Sequence, residues 1–110
     1  MYVKIEEKNG VKVCYADGDI DINSSPQIKK VFDKVVQEKS EKVLINLKGV
    51  GYIDSSGLAT LVEILKNFRS RGGKLKLCSL SNKVKSLFEI TKLEKLFDIA
   101  DTEEEAVKAF

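Results

Sequence analysis

Apolar and polar positions change period along this chain, and each change marks an element. Residues 2–7, YVKIEE, alternate apolar and polar, which predicts a half-buried strand. Asn9-Gly10 follows, a dipeptide suited to the left-handed positions of a tight hairpin turn. VKVCYADG then reads as the return strand, ending at Asp17-Gly18, so the chain is predicted to open with an antiparallel hairpin. Helical spacing takes over at residues 24–39, where Ile28, Val31, Phe32, Val35 and Val36 share one face. Ser24 stands in the N-cap position, and Gln27 three residues on completes the sequence of a capping box. Pro26 falls in the first turn, where no intrahelical N–H is lost.

Residues 42–50, KVLINLKGV, form a short run rich in apolar and β-branched residues, which suits a central strand buried on both faces. A second helix is predicted over 56–71, stopped by Gly72-Gly73. KLKLCSL, residues 74–80, reads as a further strand. Ser81 can cap a third helix running to about Leu93, and residues 96–100 read as a short edge strand. Thr102 and the acidic turn after it suit the start of a closing helix. Helices alternate with strands after the hairpin. That order predicts one domain over 1–110, an α/β fold with a mixed sheet of four or five strands, parallel in its centre, and about four helices.

The stretch GYIDSSGLATL, residues 51–61, places Asp54, Ser55, Ser56 and Gly57 where a strand hands over to a helix. Stepping about 100° per residue from Ser56 sends Leu58, Leu61, Val62, Leu65 and Phe68 to the opposite side, the face that meets the sheet. Ser56 shares its side with Ala59, Thr60, Glu63 and Asn67, which are small or polar and expected to face solvent. Ser55 falls toward the edge of the buried face, and either it or Asp54 serves as the N-cap. The carboxyl edge of an α/β sheet is where ligands and partners meet the protein, and a helix N-terminus there favours an anion such as phosphate. Gly57 is expected to leave the approach open. Ordinary capping explains the same residues without any further function.

Other chemistry is weakly supported. Neither serine lies in G-x-S-x-G, and Gly73-Lys74 is followed by Leu75 rather than Ser or Thr, so no nucleophile elbow or P-loop is present. Asp17, Asp19 and Asp21 flank Gly18 without the remaining ligands of a Ca²⁺ loop. Asp21 precedes the first helix and is expected near Asp54, where two acids would repel a modified serine or hold Mg²⁺. With no histidine in 110 residues, the Ser-His-Asp triad and most zinc sites are excluded. Cys14 and Cys78 form no C-x-x-C pair and read as buried apolar residues. The net charge of +2, from 19 basic and 17 acidic residues, is too balanced for a nucleic-acid surface. No apolar run approaches a membrane span, and MYVKIEEKNG lacks the form of a signal peptide, so a cytoplasmic protein is the expectation. No cofactor is implied.

Taken together, four segments resemble one family. IDSSGLATLVEIL is similar to the D-S-S-G-L-G signature of bacterial anti-sigma factor antagonists, the STAS domain family. GDIDINSSPQIKK, VLINLKGVGYID and VKSLFEITKLEKLFDI resemble its first helix entry, its central strand and its third helix with last strand. Ala59 departs from the usual glycine. The resemblance implies a non-enzymatic switch phosphorylated on the serine before the glycine, here Ser56. The unphosphorylated form would bind an anti-sigma factor that is also a serine kinase and free the sigma factor. A metal-dependent serine phosphatase would restore it. The implied partner surface comprises Asp21, Asn23, Ser24, Asp54, Ser55, Gly57, Ala59, Thr60 and Glu63. An alternative from another class is a STAS scaffold or regulatory subunit of a transport or stress-sensing complex without a phosphorylation cycle. A small nucleotide-binding module is a third, to be tested by titration with GTP or ATP.

Overall fold

The computed structural model describes residues 1–110. Strands β1 (Tyr2–Lys8) and β2 (Val11–Asp17) form the opening hairpin, paired antiparallel in register from Tyr2–Asp17 to Lys8–Val11. Asn9 and Gly10 both take positive φ, as the turn requires. Helix α1 (Ser25–Gln37), strand β3 (Lys42–Gly49), helix α2 (Ser55–Ser70) and strand β4 (Lys74–Cys78) follow. Helix α3 (Asn82–Ile90), a 3-10 turn (Leu93–Lys95), strand β5 (Asp98–Ala100) and helix α4 (Glu103–Lys108) complete the chain. The sheet runs β1-β2-β3-β4-β5, and every pair after the hairpin is parallel. No helix is long and apolar enough to cross a membrane.

Side-chain alternation divides the core between the two faces of the sheet. Cys14, Val43, Ile45, Leu47, Leu75 and Leu77 point to the face covered by α1, α2 and α3, against Phe32, Leu61, Leu65, Phe68 and Phe88. Val11, Val13, Leu44 and Cys78 point to the other face, which α4 covers through Ala106. The two cysteines therefore lie on opposite faces, each as a buried free thiol. Burial pushes the Cys14 thiol up to about 12. Asn46 is the polar exception in the central strand. Its amide donates to Glu103 Oε1 at 3.1 Å, and its carbonyl accepts from the Lys48 N–H at 2.9 Å.

Boundaries differ from the sequence reading in a few places. Ser24 makes no side-chain cap bond to α1, and Gln27 donates to the Met1 carbonyl at 3.0 Å instead of closing a capping box. The Asp21 carboxylate takes the amides of the turn before α1, so the cap sits three residues earlier. Helix α3 stops at Ile90 because Lys92 takes the left-handed conformation, φ 61°.

Candidate functional site

The site begins where β2 and β3 leave the sheet. Pairing continues past the strand ends as a parallel bridge between Ile20 and Ile53. The Ile20 N–H donates to the Tyr52 carbonyl at 3.0 Å, and the Asp54 N–H donates to the Ile20 carbonyl at 3.1 Å. Two loops on one sheet edge are thereby held side by side. Asp54 is the N-cap of α2, with extended backbone and Oδ1 accepting from the Gly57 N–H at 2.8 Å. Its Oδ2 accepts from the Ile22 N–H at 3.2 Å. One carboxylate thus caps the helix and anchors the neighbouring loop.

Asp21 plays the matching part on the other loop. Its Oδ1 accepts from the amides of Asn23 and Ser24, at 2.9 and 3.0 Å. The Ser24 hydroxyl accepts from the Asp21 N–H at 3.0 Å and donates to the Asp19 carbonyl at 2.8 Å. Ser24 is buried, so it shapes the loop rather than facing a partner. Both acids hold backbone amides of separate turns, and no three His, Cys, Asp or Glu side chains converge on a cation position.

Gly57 has a different role from the expected open approach. It is buried, and a Cβ there would stand 2.3 Å from the Ile20 carbonyl oxygen and 2.8 Å from the Ile20 Cγ2. Only glycine lets α2 start this close to the neighbouring loop.

The two serines also exchange their expected positions. Ser55 is exposed, whereas Ser56 is half-buried. The cause is the extent of the buried face. Gly57 and Ile64 are buried along with Leu58, Leu61, Leu65 and Phe68, which turns the face toward Ser56. With Asp54 as cap, Ser55 is the first helical residue and has no turn above it. Ala59 and Glu63 are exposed as expected, and Thr60 is half-buried, donating to the Ser56 carbonyl at 3.0 Å. Glu63 pairs with Lys29 of α1 at 2.9 Å. Asn23 is exposed on the adjoining loop.

Apolar residues surround this edge in a way the helical pattern does not reveal. Ile22 is 67% exposed beside Asp54, Tyr52 is 44% exposed, and Ile90 at the end of α3 is 79% exposed. Tyr52, Ser55, Lys83, Leu87 and Ile90 line a groove of about 300 Å³ between the start of α2 and α3. The only signal in the sequence was position: Ile22 stands among polar loop residues, where no strand or helix face would bury it.

Comparison with known proteins gives this edge a context. The family model of the STAS domain matches residues 2–106. The chain belongs to the STAS domain family. This STAS chain is 34% identical over 103 residues to the anti-sigma-B factor antagonist of Bacillus subtilis, covering 94% of the chain and 93% of that protein. It is 26% identical over 108 residues to the anti-sigma F factor antagonist of Paenibacillus polymyxa, covering 97% and 92%. A Thermotoga maritima protein of known crystal structure superposes with TM-score 0.92 at 30% identity, covering 97% of this chain and 92% of that one.

A serine nucleophile needs a base within hydrogen-bond reach. The adjacent Asp54 carboxylate accepts from two amides, and neither serine hydroxyl donates to an acceptor in the chain. Ser55 stands exposed at the first residue of α2.

Proposed function

We propose that this STAS protein is an anti-sigma factor antagonist whose hold on its partner is switched by phosphorylation of Ser55. One observation carries the choice of serine: Ser55 is exposed at the first position of α2, while Ser56 is half-buried. The names of the Bacillus and Paenibacillus relatives support the antagonist part of the reading. The Asp54-Ser55-Ser56-Gly57 signature supports the modification.

The partner is an anti-sigma factor with serine kinase activity, and a metal-dependent serine phosphatase reverses the reaction. Phosphorylation forms the Ser55 Oγ–P bond and breaks the bond between the γ-phosphorus of ATP and ADP. The hydroxyl proton passes to a base of the kinase, since this chain positions none. A phosphoserine adds about −1.5 to −2 charges. At a helix N-terminus that charge is tolerated, so the fold persists and the interface changes. The footprint comprises Asn23, Ser55, Ala59, Thr60 and Glu63, with Asp21, Ser24, Asp54 and Gly57 beneath as its frame.

Isothermal titration of the purified chain with anti-sigma factor kinases of its own genome tests this. Wild type and Ser55→Ala are expected to bind, and Ser55→Asp to lose binding while its circular dichroism stays unchanged. Tight binding by Ser55→Asp would remove the switch. No binding by wild type to any such kinase would remove the antagonist reading and leave a STAS scaffold.

A further inference from the structure

Three lysines place their ammonium near an aromatic ring: Lys8 at 5.7 Å from the Tyr15 centroid, Lys76 at 5.4 Å from Phe110, and Lys83 at 5.3 Å from Tyr52. Lys8 and Lys76 also have carboxylate partners, Glu103 at 2.7 Å and Asp98 at 3.8 Å. Lys83 has none. It sits in the first turn of α3 and lines the same groove as Ser55, so an unpaired cation and an exposed hydroxyl share one cavity. Tyr52, Val84, Leu87 and Ile90 give the groove its apolar walls, and Asp54 and Ser86 add polar groups.

We propose that Lys83 is the counter-charge of a phosphoryl group on Ser55, and that their ion pair draws the ammonium off the Tyr52 ring and across the groove. In the unmodified chain Lys83 lies along Tyr52 and the apolar walls are open. In the phosphorylated chain the ammonium and the phosphate span the opening, so modification closes an apolar surface as well as adding charge. A phosphate gains more from an ammonium than an aromatic face does, because a full charge replaces a ring quadrupole. The inference rests on Ser55 as the modified residue.

The test uses the full chain alone, with phosphoserine incorporated at position 55 by genetic encoding, and follows the phosphate by ³¹P NMR titration. The ordinary second pKa of phosphoserine is about 6. With Lys83 present it is expected about half a unit below its value in Lys83→Met, and Lys83→Arg is expected to keep the shift. Asp54 also lines the groove and its charge acts in the opposite sense, but equally in all three proteins. The difference therefore isolates Lys83, which is exposed, so neither variant disturbs the core. A second readout is the ring-current shift of the Lys83 ε-protons, expected to vanish on phosphorylation. Equal midpoints for Lys83 and Lys83→Met, or an unchanged ring-current shift, would overturn the proposal. Such a failure leaves partner binding untouched, so it is distinct from failure of the antagonist reading.

Discussion

Replacing Gly57 with alanine separates two physical forces of opposite sign. Position 57 lies in the first turn of α2, where helix propensity alone favours alanine by about 1 kcal/mol. The structure opposes that gain. The new Cβ would meet the Ile20 carbonyl oxygen at 2.3 Å and its carbon at 2.9 Å. Both are backbone atoms, so no rotamer change relieves the clash. Ile20 is fixed in turn by its bonds to Tyr52 and Asp54 and by its pairing with Ile53. Overpacking of this kind costs about 1–3 kcal/mol. Moving the helix start away also strains the bond from Asp54 N–H to the Ile20 carbonyl, worth about 1 kcal/mol. After the propensity gain, the net loss is about 1–3 kcal/mol. For a chain of this size that lowers Tm by about 5–12 °C. Urea unfolding and thermal melts of Gly57→Ala measure it, with Gly51→Ala as control, since a Cβ there meets nothing within 4 Å. A Gly57→Ala protein as stable as wild type would refute the close approach of α2 to the loop as the reason for the glycine.

The remaining expectations follow from single contacts. Asp54→Ala removes a helix cap and the acceptor of the Ile22 N–H, so stability is expected to drop by about 1–2 kcal/mol, with hydrogen exchange at Ile22 speeding up. Glu103 loses some charge stabilisation to burial, but its hydrogen bonds from Lys8 and Asn46 hold its carboxyl below the ordinary 4.5. Its folded value being depressed, it adds stability above pH 4.5 that disappears as pH falls through the folded value. Glu103→Gln is therefore expected to flatten the acid limb of a stability–pH profile, and a profile unchanged below pH 4.5 would count against the network. With Cys14 raised to about 12 and both thiols buried on opposite sheet faces, neither is expected to react with a thiol reagent at pH 8 until the chain unfolds. Rapid labelling of the native chain would contradict that packing.

Much of the fold was legible because local signals agreed with one another. Asn9-Gly10 marked the hairpin, the apolar run at 43–47 marked the central strand, and the alternation of strand and helix set the parallel sheet. Helix starts were less legible where several capping residues stood close together. In DINSSP the serine looked like the cap, yet the Asp21 carboxylate holds the turn and Ser24 turns inward. The same ambiguity misplaced Ser55 and Ser56. Phase on a helical wheel depends on which residues are buried, and Gly57 reveals its burial only through a backbone contact with Ile20, 37 positions away in the chain. Tyr52, Lys83 and Ile90 were silent for a related reason. Tyr52 precedes α2 whereas Lys83 and Ile90 belong to α3, and only the packing of α3 beside the start of α2 brings them to one groove.

The most direct test of the switch is phosphopeptide mapping after incubation with ATP and the anti-sigma factor kinase that the chain binds. Wild type, Ser55→Ala and Ser56→Ala are compared, each also assayed for retention on the immobilised kinase. One phosphoryl group on Ser55 is expected in wild type and Ser56→Ala, with release from the kinase, and none in Ser55→Ala. Modification confined to Ser56, or modification of Ser55 without release, would contradict it.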